Sequence, residues 1–139
     1  MEQALIVIGA ATLGVLGTIH LAYTFFTNKF DARDAKVTDL MKDTSPVLTR
    51  QTSMWNAWVG FNASHSLGAM LFGGIYIPLS LFHYDVIQQS VWFSSLPLLV
   101  GLSYLVLAKK YWFRIPFIGI ALATTCFLGV ALGINFHLG

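Results

Sequence analysis

Apolar side chains follow one another along this chain in four long runs, and charged residues collect in the breaks between them. No charge stands between Glu2 and Lys29. The run from Ala4 to Phe26 predicts a helix over 4–27, long enough to cross a bilayer, since roughly twenty apolar residues span its hydrocarbon core. The next uncharged stretch, from Gln51 to Tyr84, predicts a helix over 53–82, with Pro78 bending or loosening its last turn. A third helix is predicted over 91–108, with Pro97 tolerated in its early turns, and a fourth over 115–135, with Pro116 suited to its start. The 139 residues therefore read as one all-α domain, an integral membrane four-helix bundle whose first two spans are joined by a long loop, 28–52.

Composition agrees with that pattern. Hydrophobic residues make up 56% of the chain and charged residues 10%, against about a quarter charged in an ordinary soluble domain. Mean hydropathy is +0.70. A cleaved signal peptide is disfavoured for the first run, which is preceded by an acidic residue and exceeds a normal signal core. The lone Cys126 gives no disulfide framework and no CxxC motif. A formal charge of +2 is too small to argue for nucleic acid.

Where the charges sit says more than their sum. All eight basic residues fall in the first connection (Lys29, Arg33, Lys36, Lys42, Arg50) and the third (Lys109, Lys110, Arg114), which share a side in a four-span chain. The positive-inside rule then places both termini and the "HYDVIQQS" loop outside the cytoplasm. Trp55, Trp92, Tyr111 and Trp112 fall near the predicted interfaces, where amphipathic rings are at home. In the long loop, Val37, Leu40 and Met41 are spaced for a short surface helix resting on the membrane or on the bundle.

Against this apolar background the segment "WNAWVGFNASHSLG" (55–68) is conspicuously polar. At 100° per residue, Trp55, Trp58, Asn62, His65, Ser66, Ala69 and Gly73 share one face, while Asn56 and Gly60 point away. The first helix carries a matching stripe of Ala10, Gly14, Gly17, Leu21 and Thr24, with His20 on its edge at a depth similar to that of His65. The expected feature is an intramembrane cluster of His20 and Tyr23 with Trp58, Asn62, His65 and Ser66. It either clamps the two helices together or forms the polar end of a pocket for a small or amphipathic ligand.

The leading expectation is an accessory subunit or a binder of such a ligand, and a haem protein and an enzyme are the alternatives. His20 and His65 suffice as axial ligands for a b-type haem, or could hold copper or zinc, although no intramembrane thiolate or carboxylate joins them and His83 and His137 fall near the opposite face. As an accessory subunit, the chain would pack in a larger membrane complex or against its own copies. Helix four would serve that role through Gly119, Ala123, Cys126, Gly129 and Gly133. Finally, the spacing R-x11-N-x2-H from Arg50 through Asn62 to His65 resembles the basic-and-amide glutathione site of small glutathione-using membrane enzymes, and implies an enzyme acting on a lipophilic substrate. This chain departs from that family by carrying His65 where the family has a glutamate, and by lacking the surrounding arginines.

"HLAYTF" and "GFNASHSLGAMLFG" together resemble a group of small, mostly uncharacterised bacterial four-helix membrane proteins, over about the first 75 residues. That resemblance implies four spans and a bacterial inner membrane. It implies no activity.

Overall fold

The computed structural model describes residues 1–136, and these are helical wherever they are regular. Six helices follow in order: α1 (Glu2–Phe26), α2 (Ala35–Asp43), α3 (Met54–Phe82), α4 (Tyr84–Gln89), α5 (Val91–Tyr111) and α6 (Arg114–Phe136). Four of them, α1, α3, α5 and α6, are long and apolar enough to cross a membrane, at 25, 29, 21 and 23 residues. The architecture is compatible with a helix bundle. By contacts the chain falls into two compact units, one of Met1–Leu16 with the chain from Ala69 onward, the other of Gly17–Gly68.

The first unit is built around α6. Val130 and Ile134 pack with Ile6 and Ala10 of α1, Tyr76 of α3 and Ile87 of α4. One turn earlier on α6, Ile120, Ala123 and Phe127 pack with Leu13 and Ala108. Phe72 joins the two clusters, stacking on Tyr76 at 4.7 Å and meeting Phe127 edge-on at 5.6 Å. Gly9 lies directly against the fully buried Phe127 ring, and at Gly73 a Cβ would stand 3.0 Å from the Ala10 carbonyl and 3.3 Å from the Gly14 Cα. Small residues thus let backbones approach where no larger side chain would fit. The small positions of α6 face inward as well: Ala123 and Cys126 are buried, Gly119 lies against Leu16, and Gly133 against Glu2.

Polar side chains in this unit repair backbone groups that the helices leave unpaired. Pro97 has no N–H, so the Phe93 carbonyl one turn back has no helical donor, and the Tyr76 hydroxyl donates to it at 3.2 Å. The Ser80 carbonyl, in the last turn of α3, accepts from Gln3 Nε2 at 2.6 Å, while the Ser80 hydroxyl donates to the Gln3 carbonyl. The Ser94 hydroxyl donates to Asn135 Oδ1 at 3.1 Å, tying α5 to α6. Ser90 caps α5 by accepting from the Phe93 N–H. α3 continues through Pro78 to Phe82. The segment read from sequence as the "HYDVIQQS" loop holds a six-residue helix, α4, docked by the fully buried Ile87.

The second unit comprises the end of α1, the connection with α2, and the start of α3. Asp34 caps α2 by accepting from the Lys36 N–H at 3.0 Å, and the Ser53 hydroxyl accepts from the Asn56 N–H at the start of α3. Thr38 is the buried residue of α2, and its hydroxyl accepts from the Ala32 N–H. The Met54 N–H donates to the Thr44 carbonyl at 2.8 Å. The long connection is therefore an ordered element, fastened at several points to its own unit.

Candidate functional site

The polar residues singled out on the first two long helices lie in the second unit. On α3, Trp58, Asn62 and Ser66 form one column with a spacing of four, and His65 stands beside it. The Asn62 amide is held from below, because its Nδ2 donates to the Trp58 carbonyl at 2.8 Å. A carbonyl can only accept, so the end of the amide facing Trp58 must be the NH2, and the oxygen is turned away from it. That oxygen lies 2.9 Å from His20 Nε2 on α1. Since an amide oxygen also only accepts, Nε2 is the donor, and neutral His20 is fixed as the Nε2–H tautomer with its lone pair on Nδ1. The Ser66 hydroxyl, fully buried, donates back to the Asn62 carbonyl at 2.8 Å.

The second imidazole completes the group. His65 meets His20 edge to face, with ring centroids 5.4 Å apart and planes at 67°. Phe30 also packs on His20, with ring centroids 4.5 Å apart and planes tilted by 41°. Phe30 belongs to the connection, not to a long helix, and it is held by the Trp58 indole N–H, which donates to the Phe30 carbonyl at 3.2 Å. Trp58 therefore supports the site twice, through its own carbonyl to Asn62 and through its indole to Phe30.

His20, Trp58, Asn62, His65 and Ser66 are brought together in this way, whereas Tyr23 stands apart. Tyr23 is 37% exposed, and its ring carries the Lys29 ammonium at 4.7 Å. Asn56, read as facing away, is exposed. His83 stands at the start of α4, and His137 lies outside the described residues. Phe30 was missed because nothing in "NKFDARD" shows periodicity. Its one visible sign is a single aromatic ring in an otherwise charged turn.

Chemically the site offers two imidazoles and one amide beside the Phe30 ring, with the Trp58, Asn62 and Phe30 carbonyls already accepting hydrogen bonds. Among the described residues no three of His, Cys, Asp and Glu gather as a metal-binding group. A metal ion or haem iron reached by His20 would use Nδ1, or else cost the bond from Nε2 to Asn62. Comparison of the chain with protein-family models, curated proteins and solved structures finds no match, so the chemistry of the site rests on this geometry alone.

Proposed function

We propose that the chain is a multi-pass protein of a bacterial inner membrane, with both termini outside the cytoplasm, in which the His20–Asn62–His65 group is the polar end of a site for a small or amphipathic ligand. Support for insertion comes from the outward surface of the long helices. Ile8, Val15, Leu71, Leu102 and Ile118 are exposed there, as lipid requires and water does not. The hydroxyls on this surface are self-satisfied: Thr12, Ser103 and Thr125 each donate to the carbonyl four residues back. The orientation rests on the basic residues of the first and third connections.

The observation that carries the ligand reading is the second imidazole, His65, set edge-on to His20 in a group that the Phe30 ring also joins. A clamp between α1 and α3 needs only the bond from His20 to Asn62. His65 beside it adds a second ionisable group to a helix pair read as lying in lipid, and Phe30 adds an aromatic wall against His20. A ligand with a hydrogen-bonding head and an apolar body would meet the imidazoles with its head and lie along the apolar helix surface.

The test is extraction and mass spectrometry of small molecules retained by the purified protein, with an absorption spectrum on the same sample. A compound bound in stoichiometric amount, lost in both His20→Ala and His65→Ala but kept in Asn56→Ala, is the expected result. A Soret band lost in the same two variants would identify the ligand as haem b. A protein that retains nothing, and in which both histidine variants merely melt earlier, would reduce the group to a clamp. Instability of the chain alone, relieved by a co-purifying membrane partner, would favour a subunit role.

A further inference from the structure

The connection between α1 and α3 carries four exposed aliphatic residues that its own fold does not use. Leu40 is 65% exposed, Val47 and Leu48 are essentially fully exposed, and Val37 is exposed on the same edge of α2 as Leu40. Phe26, the last residue of α1, is 85% exposed where the connection begins. These are not side chains of a loose linker. The segment is capped at Asp34, braced by Thr38, tied to the start of α3 through Thr44, and fastened through Phe30 to Trp58. A stretch folded this firmly while presenting its aliphatic groups outward has another apolar phase to meet.

The rings and basic stems set among these groups point to that phase. Basic residues are interspersed with the aliphatic ones along the connection: Lys36 beside Val37, Lys42 two residues after Leu40, and Arg50 two residues after Leu48. Lys29, Arg33 and Lys42 also line a depression of about 470 Å³ with Asp31 and Asp39. The connection carries five basic and four acidic residues, with Asp34 serving as the cap of α2 and Asp39 paired with Lys42 at 3.9 Å. Lys29 and Lys42 rest over the rings of Tyr23 and Trp55, at 4.7 and 5.7 Å. Aromatic rings, aliphatic side chains and long cationic stems side by side are the composition of a protein surface at the boundary of headgroups and acyl chains.

We propose that residues 26–50 lie in the headgroup layer of the bilayer crossed by the helices at either end, with Leu40, Val47 and Leu48 at the acyl boundary and the basic side chains on anionic lipid phosphates. The proposal rests on the membrane reading above and extends it to one surface and one leaflet. Covalent continuity with α1 and α3 holds the segment at that depth, so no separate docking energy is required to bring it there. A second copy of the chain or a soluble protein domain would cover the same aliphatic groups without any need for anionic lipid.

The test uses the full chain with Cys126→Ala as background, labelled at Leu48→Cys or, separately, at Ile118→Cys on the exposed side of α6, with an environment-sensitive fluorophore. Each protein is reconstituted in vesicles of phosphatidylcholine or of phosphatidylcholine with phosphatidylglycerol, carrying bromine near the top of the acyl chains. The expected result is a blue-shifted, bromine-quenched label at 48, with quenching stronger in the anionic vesicles and the increment lost at high salt. A water-like, unquenched label at 48 beside a quenched label at 118 would overturn the proposal and leave the spanning reading intact. Shielding at 48 that appears only as protein is crowded into the vesicles would overturn it in favour of a second copy. Failure of quenching at both positions would remove the spanning reading and this proposal together.

Discussion

A single amide decides the chemistry of His20. Because Asn62 donates to the Trp58 carbonyl, its oxygen is fixed toward α1, and His20 has one neutral form that satisfies it. Replacing Asn62 by leucine keeps the volume close but removes the acceptor, leaving a half-buried imidazole N–H to find another partner, while the Trp58 carbonyl keeps its helical donor. The expected cost is about 1–3 kcal/mol, while Asn56→Leu on the exposed side should stay within about 0.5 kcal/mol. Melting of both variants in the same detergent checks the difference, and imidazole nitrogen resonances should report loss of the fixed tautomer only in Asn62→Leu. Equal melting temperatures with an unchanged tautomer would remove Asn62 from its central place. The face bearing Asn62, His65 and Ser66 was legible in the sequence because helical spacing alone separates it from Asn56. The position of Tyr23 was not, since it depends on Lys29 reaching back over its ring after α1 has ended. Phe30 was invisible for a related reason, as its contact with His20 is made by the path of a turn and not by a periodic pattern.

At the scale of elements, the four long helices were legible because nothing else tolerates runs of more than twenty residues without a charge. The short ones carried less signal. Ile87 is a single buried anchor in a six-residue helix, too little to show a period. The prolines were legible as residues but not in their consequences. Pro97 frees a carbonyl inside α5, and the sequence gives no hint that a tyrosine on α3 answers it. Tyr76 is 3% exposed, and its ring stacks on Phe72 at 4.7 Å. Tyr76→Phe should therefore keep the packing with Phe72 and lose the one donor to Phe93, at a cost of about 1–3 kcal/mol. Restoring an amide N–H at the proline, as in Pro97→Ala, should recover much of that loss in the double variant, because the helix then supplies its own donor. Additive losses in the two variants, measured by thermal melting, would show that the hydroxyl does not serve the proline gap.

For the molecule as a whole, the proposed orientation follows from eight charges, not from any contact. Lys29, Arg33, Lys36, Lys42, Arg50, Lys109, Lys110 and Arg114 belong to the two connections that four crossings put on one side, while the connection containing α4 carries only Asp85. Holding a short basic connection on the cytoplasmic side is favoured during insertion because moving Lys and Arg across the bilayer is costly and opposed by the membrane potential. Under the proposed orientation the His20–Asn62–His65 group lies toward the cytoplasmic side, since Phe30 of the first connection packs on His20. Single cysteines in a Cys126→Ala background read this directly, because Ser45 and Gln88 are both exposed and lie in opposite connections. A membrane-impermeant maleimide should label Gln88→Cys in intact spheroplasts and Ser45→Cys only after lysis. The reverse pattern would invert the protein and place the imidazole pair toward the outside. Equal labelling at both positions would mean that these eight charges do not determine how the chain inserts, and a ligand could then be offered to the site from either face.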